Sequence, residues 1–101
     1  MKQRRQVLDM GYTSEEFART LQAAFCQPPS GMTCEEQAGG WLLTGQEGLQ
    51  ARVRTRERSP RSIGMLALPR LEVEIAVEAD SDDAIERFLL RFQQYFHKGG
   101  G

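Results

Sequence analysis

The sequence predicts an α+β fold: a two-layer sandwich in which an antiparallel sheet of about four strands carries two helices on one face. Three observations predict it. Two segments place apolar residues at a 3.6-residue spacing, and the segments between them alternate with period two. Their order, β-α-β-β-β(-β)-α, leaves one apolar sheet face and two apolar helix stripes that can cover each other. At 101 residues the chain is expected to form one domain, with Gly99, Gly100 and Gly101 as a flexible tail.

The first strand is "QRRQVLDMGY", which sets Leu8, Met10 and Tyr12 on one side and Val7 and Asp9 on the other. "TSEEF" then supplies a capping box. Thr13 can accept from the backbone amide of Glu16 while the Glu16 side chain reaches back, so a helix begins there. Phe17, Leu21, Ala24 and Phe25 form its buried stripe, and Pro28 and Pro29 end it because proline cannot continue the ladder. "MTCEEQAGGWLLTG" reads as two short strands around a turn at Gly39 and Gly40.

Next comes "LQARVRTRER", where Leu49, Ala51, Val53 and Thr55 alternate with Arg52, Arg54, Arg56 and Arg58. Strict alternation marks a strand wet on one face. After a break at "SPRSIG", "MLALPRLEVEIAVEAD" repeats the pattern, with Leu71, Val73, Ile75 and Val77 inward and Glu72, Glu74 and Glu78 outward. A hairpin between these strands can set Arg54 opposite Glu72 and Arg52 opposite Glu74, leaving Arg56, Arg58 and Arg61 unmatched near the turn. The last helix starts at Asp80 or Ser81, buries Ile85, Phe88, Leu89, Phe92 and Phe96, and carries His97 and Lys98 in its last turn, as the helix dipole favours.

Thirteen Lys and Arg against fourteen Asp and Glu give a net charge of −1, which argues against broad attraction to nucleic acid or to an anionic membrane. The basic start lacks the apolar run of a signal peptide, and no stretch is long enough to span a bilayer, so a cytoplasmic protein is expected. Cys26 and Cys34 are too few for a disulfide framework or a Cys-rich zinc site; both are expected as reduced thiols. The paired acids, such as Glu35 with Glu36 and Asp82 with Asp83, read as caps and solvated surface. No metal and no cofactor are expected.

Each feature that could carry chemistry has a plainer structural reading. Carrier proteins of the ubiquitin-like kind end in Gly-Gly, but they present it from a strand, whereas here the glycines follow a helix, where glycine is the preferred terminator. A dyad of His97 with a cysteine has no support from spacing. Double-stranded RNA-binding domains also run helix, three strands, helix, yet their second helix begins with basic residues and "SDDAIE" begins with acids. "AGGW" lacks the lysine and hydroxyl of a phosphate loop.

Two features remain. The row Arg52, Arg54, Arg56, Arg58 and Arg61 is either a solvated charge ladder or a surface for an anionic or protein partner. In "SIGMLALPR" both alternating faces are apolar: Met65 and Ala67 belong to the inward set, while Leu66 and Leu68 share the side that later bears Glu72 and Glu74. That end either contacts a partner or folds back over Trp41 and Leu42. The sequence is therefore read as a non-enzymatic accessory or protein-binding module acting through a charged sheet face and an apolar strand end, with a protein partner or a second copy of itself as its target. A Gly-Gly carrier or a cysteine-dependent enzyme is the alternative, and an anion or nucleic-acid binder using the arginine strand is a third.

Overall fold

The computed structural model describes residues 1–27 and 31–96. Five strands and two helices follow in the order β1 (Lys2–Met10), α1 (Ser14–Phe25), β2 (Thr33–Gln37), β3 (Gly40–Thr44), β4 (Gln50–Ile63), β5 (Leu66–Ala79) and α2 (Asp82–Tyr95). The strands form one antiparallel sheet in the spatial order β1-β5-β4-β3-β2. Helix α1 therefore leads the chain from one edge of the sheet to the other.

Both helix starts are fixed by their caps. At α1 the Thr13 hydroxyl accepts from the Glu16 amide at 3.0 Å, and the Thr13 amide donates to the Glu16 carboxylate at 3.0 Å. At α2 the cap is Ser81, whose hydroxyl accepts from the Ala84 amide. The acids that follow each cap lie at the positive end of the helix dipole. At its other end α1 stops at Phe25, and the free carbonyl of Ala24 accepts from Arg91 of α2 at 2.6 Å. Helix α2 stops at Tyr95; His97, Lys98 and the glycine tail lie outside the described residues, as do Pro28 and Pro29.

One core lies between the helices and one face of the sheet. Val53, Leu71, Val73 and Ile75 are fully buried from the sheet side, and Phe17, Leu21, Phe88 and Phe92 meet them from the helices. Phe25 stacks on Phe88 at 4.8 Å and Phe17 lies 4.7 Å from Phe96, so aromatic rings join the two helices. Tyr12, just past β1, closes this group against Phe17 and Phe96.

Four details differ from the sequence expectation. The β2–β3 turn is Ala38–Gly39, one residue earlier than expected, because the positive φ of 78° falls at Gly39 while Gly40 already pairs with Gln37 and Arg54. The stretch "SPRSIG" is not a break: all of it but its final glycine belongs to a strand. Strand β4 continues to Ile63, and the chain reverses at Gly64–Met65, where Gly64 supplies a φ of 60° at the first turn position. The pairing of β4 with β5 is shifted by two residues, so that Arg54 faces Glu74 and Arg56 faces Glu72.

A bulge between Arg58 and Arg61 accounts for the continuous strand. Below it, residues of like parity pair (Val53 with Ile75); above it, unlike parity pairs (Arg61 with Leu68, Ile63 with Leu66). A two-residue turn at 64–65 imposes unlike parity, yet the buried residues of both strands are odd-numbered, and one extra residue in β4 reconciles the two. Pro60 sits in that bulge, a place where a strand tolerates a proline.

The fourth difference concerns the cysteines. Cys26, at the end of α1, and Cys34, in β2, form a disulfide with their Cα atoms 5.5 Å apart, and the expectation of two reduced thiols is corrected. Residue spacing alone could not show that the helix end lies beside that strand. Closing a loop with a sequence separation of 8 stabilises by about 2–3 kcal/mol in the chain-entropy model. Reductant should lower the urea midpoint accordingly, and iodoacetamide should add mass only after reduction; an unchanged midpoint with both thiols free would show the bond is not formed.

Candidate functional site

Strand β3 accompanies β4 only as far as Arg54, and β1 accompanies β5 only from Leu71. Residues 56–70 therefore leave the sheet as a two-stranded arm, and the molecule is 47 Å long but only 29 × 24 Å across. Where the arm leaves the body, the Ser14 hydroxyl donates to Glu57 at 3.0 Å. Its end is apolar and open: Ile63, Leu66 and Leu68 are 51%, 66% and 43% exposed, and Met65 at the turn is fully exposed. The segment does not fold back over Trp41 and Leu42. Trp41 is instead covered by Phe17, with ring centres 5.8 Å apart.

The arginine row is where alternation put it. Arg52, Arg54, Arg56 and Arg58 lie on the face opposite the helices, and the parity change at the bulge carries Arg61 onto that same face, beside Leu68. Leu66 and Ile63 complete the row toward the tip. Sequence reasoning named Arg61, Leu66 and Leu68 but missed Ile63, because without the bulge Ile63 counts with the inward set. Pro60 in the middle of a strand pattern was the available signal.

Part of the row is neutralised from the neighbouring strands. Arg58 donates to Glu72 at 3.1 Å, Arg5 of β1 donates to Glu74 at 2.7 Å, and Arg70 donates to Asp9 at 2.8 Å. Arg52 faces Ala76, and Arg56 and Arg61 form no ion pair among the described residues. Arg54 faces Glu74, which is taken by Arg5, so the arginines of the row without an ion pair among the described residues prove to be Arg52, Arg54, Arg56 and Arg61, with Arg58 satisfied. On the body of the sheet, Gln3, Arg5, Leu42, Gln50, Arg52 and Glu78 surround the small side chain of Ala76, leaving a shallow concavity of about 470 Å³.

The hydrogen bond from Arg70 holds the Asp9 carboxyl below its ordinary 3.8, and the one from Arg5 holds Glu74 below 4.5. A depressed carboxyl contributes stability above its ordinary pKa and loses it as pH falls through the folded value. Asp9 is exposed and Glu74 only half-buried, so solvent screens both pairs and the effect is small. The difference in thermal midpoint between the wild type and Arg5→Gln/Arg70→Gln should be full at pH 6 and shrink progressively as pH falls below the ordinary carboxyl range, as both groups become protonated in the folded state. A difference that persists in acid would show that these arginines act through packing.

Among the described residues no group of three His, Cys, Asp or Glu side chains could hold a metal ion. Cys26 and Cys34 are bonded to each other, so neither offers a thiolate nucleophile in this state, and His97 lies outside the described residues. No described helix is long and apolar enough to cross a membrane. Compared with protein-family models, with curated proteins and with solved structures, the chain matches none.

Proposed function

We propose that this chain is a non-enzymatic binding module whose working part is the β4–β5 arm together with the charged face from which it springs. One observation carries the reading: an apolar tip is held in solvent on a two-stranded arm, where it adds nothing to the core. Exposed apolar groups gathered at the end of a projection are characteristic of contact surfaces. The arm holds four arginines and one acid, Glu57, against an overall charge of −1, so the partner it suits is a protein offering an apolar pocket beside carboxylates. Nucleic acid and membrane are the disfavoured partners. The cytoplasmic placement expected from the sequence is disfavoured by the Cys26–Cys34 disulfide, because such bonds persist in oxidising compartments and are rare where thiols are kept reduced.

The test is partner capture by the folded protein from its own cell extract, comparing wild type with Leu66→Ser/Leu68→Ser, with Arg56→Ala, and with Leu90→Ser on α2. Stability should be almost unchanged in all three, because these side chains are exposed. Specific partners should be lost with the leucine pair, weakened with Arg56→Ala, and kept with Leu90→Ser. Capture indifferent to the arm, or binding only to anionic phospholipid vesicles or RNA, would overturn the reading.

A further inference from the structure

The sheet has two free edges among the described residues, and they are built differently. Strand β2 is five residues long and carries Glu35 and Glu36, so a second copy pairing there would bring like charges together. That is how native sheets blunt an edge. Strand β1 is nine residues long and has no proline, glycine or bulge, and its charges change sign along its length: Lys2, Arg4 and Arg5 at the start, Asp9 near the end.

An antiparallel copy of β1 complements that pattern. With Val7 opposite Val7 of the second copy, Arg5 falls opposite Asp9, and by symmetry Asp9 opposite Arg5. All three side chains lie on the open face of the sheet, where Val7 is 60% exposed. Arg5 is already bonded to Glu74, and Asp9 to Arg70, so the new contacts would extend a row of alternating sign: Glu74, Arg5, then Asp9 and Arg70 of the second copy. On the helix face, Leu8 and Met10 are only half-buried and line an open groove of about 340 Å³ between β1 and α2, with Leu89, Phe92 and Phe96 on its far side. The same register keeps both copies' helices on one side of the joined sheet, so the two grooves meet across the seam.

We infer that two copies of this chain pair through antiparallel β1 strands about a twofold axis at Val7, forming a continuous ten-stranded sheet. This interface is separate from the arm, which points away from the sheet along β4 and β5 and stays free for another partner.

Analytical ultracentrifugation of the wild type should give twice the chain mass of 11.4 kDa. Arg5→Asp and Asp9→Arg should each raise the dissociation constant tenfold or more, and the double exchange Arg5→Asp/Asp9→Arg should restore dimerisation, a rescue that a general loss of folding would not allow. Under mild oxidation Val7→Cys should form a covalent dimer through position 7, mapped by peptide mass spectrometry to distinguish it from the Cys26–Cys34 bond, whereas Gln3→Cys should not. A monomer at all accessible concentrations, no rescue by the double exchange, or crosslinking at Gln3→Cys in place of Val7→Cys would each overturn the inference.

Discussion

Replacing Val73 with aspartate should abolish the cooperative unfolding transition and leave a chain without native near-ultraviolet signal at room temperature. Val73 is fully buried in the middle of β5, paired with Leu8 on one side and Thr55 on the other. A carboxylate there has no cation within the core, because the arginines bonded to β5 all lie on the opposite face. Burying it unpaired costs several kcal/mol, comparable to the whole stability of a domain this size. The matched control is Glu74→Val, one residue along on the open face, which should fold normally. A folded Val73→Asp variant within about 1 kcal/mol of wild type would mean that this face of β5 is not the core face.

Gly40→Ala should be the other severe change, although it adds a single methyl group. A β-carbon at position 40 would lie 1.9 Å from the carbonyl oxygen of Val53 and 3.0 Å from the Cα of Arg54. Both obstacles are backbone atoms of β4, so relief requires β3 to move away from the strand with which it shares its ladder. We expect a loss of about 3 kcal/mol or more in urea denaturation. Gly39 separates the space effect from the turn effect: it has positive φ but nothing within 4 Å, so Gly39→Asn should cost far less, since asparagine tolerates that conformation. Equal costs at the two positions would show that turn conformation, not close approach, is what position 40 requires.

Much of the architecture was legible because burial imprints itself on period. Phe17, Leu21, Phe88 and Phe92 could be assigned to a core stripe, and Leu71, Val73, Ile75 and Val77 to the sheet face beneath it, from spacing alone, and all are buried. Register was not legible, for a physical reason. Sliding β4 against β5 by two residues returns every side chain to the same face, so facing Arg54 with Glu72 or with Glu74 satisfies the same pattern, and the turn chooses between them. The disulfide was hidden for a related reason, since the approach of Cys26 to Cys34 depends on how the end of α1 meets β2 across residues that carry no periodic signal. At the candidate site, Arg61, Leu66 and Leu68 could be named in advance, but the standing of Arg58 and Ile63 waited on the pairing.

The bulge at residues 58–61 separates what the arm displays from where it points. Deleting Ser59 would bring the whole hairpin into the parity that the turn at 64–65 already demands, so Val53 would still face the helices and Leu66 and Leu68 would keep their side of the ribbon. The local twist and bend that an extra residue introduces would be lost. The same leucines and arginines would then leave the body along a different heading. Shortened by one residue at its elbow, the arm would carry an unchanged chemical message to a different address.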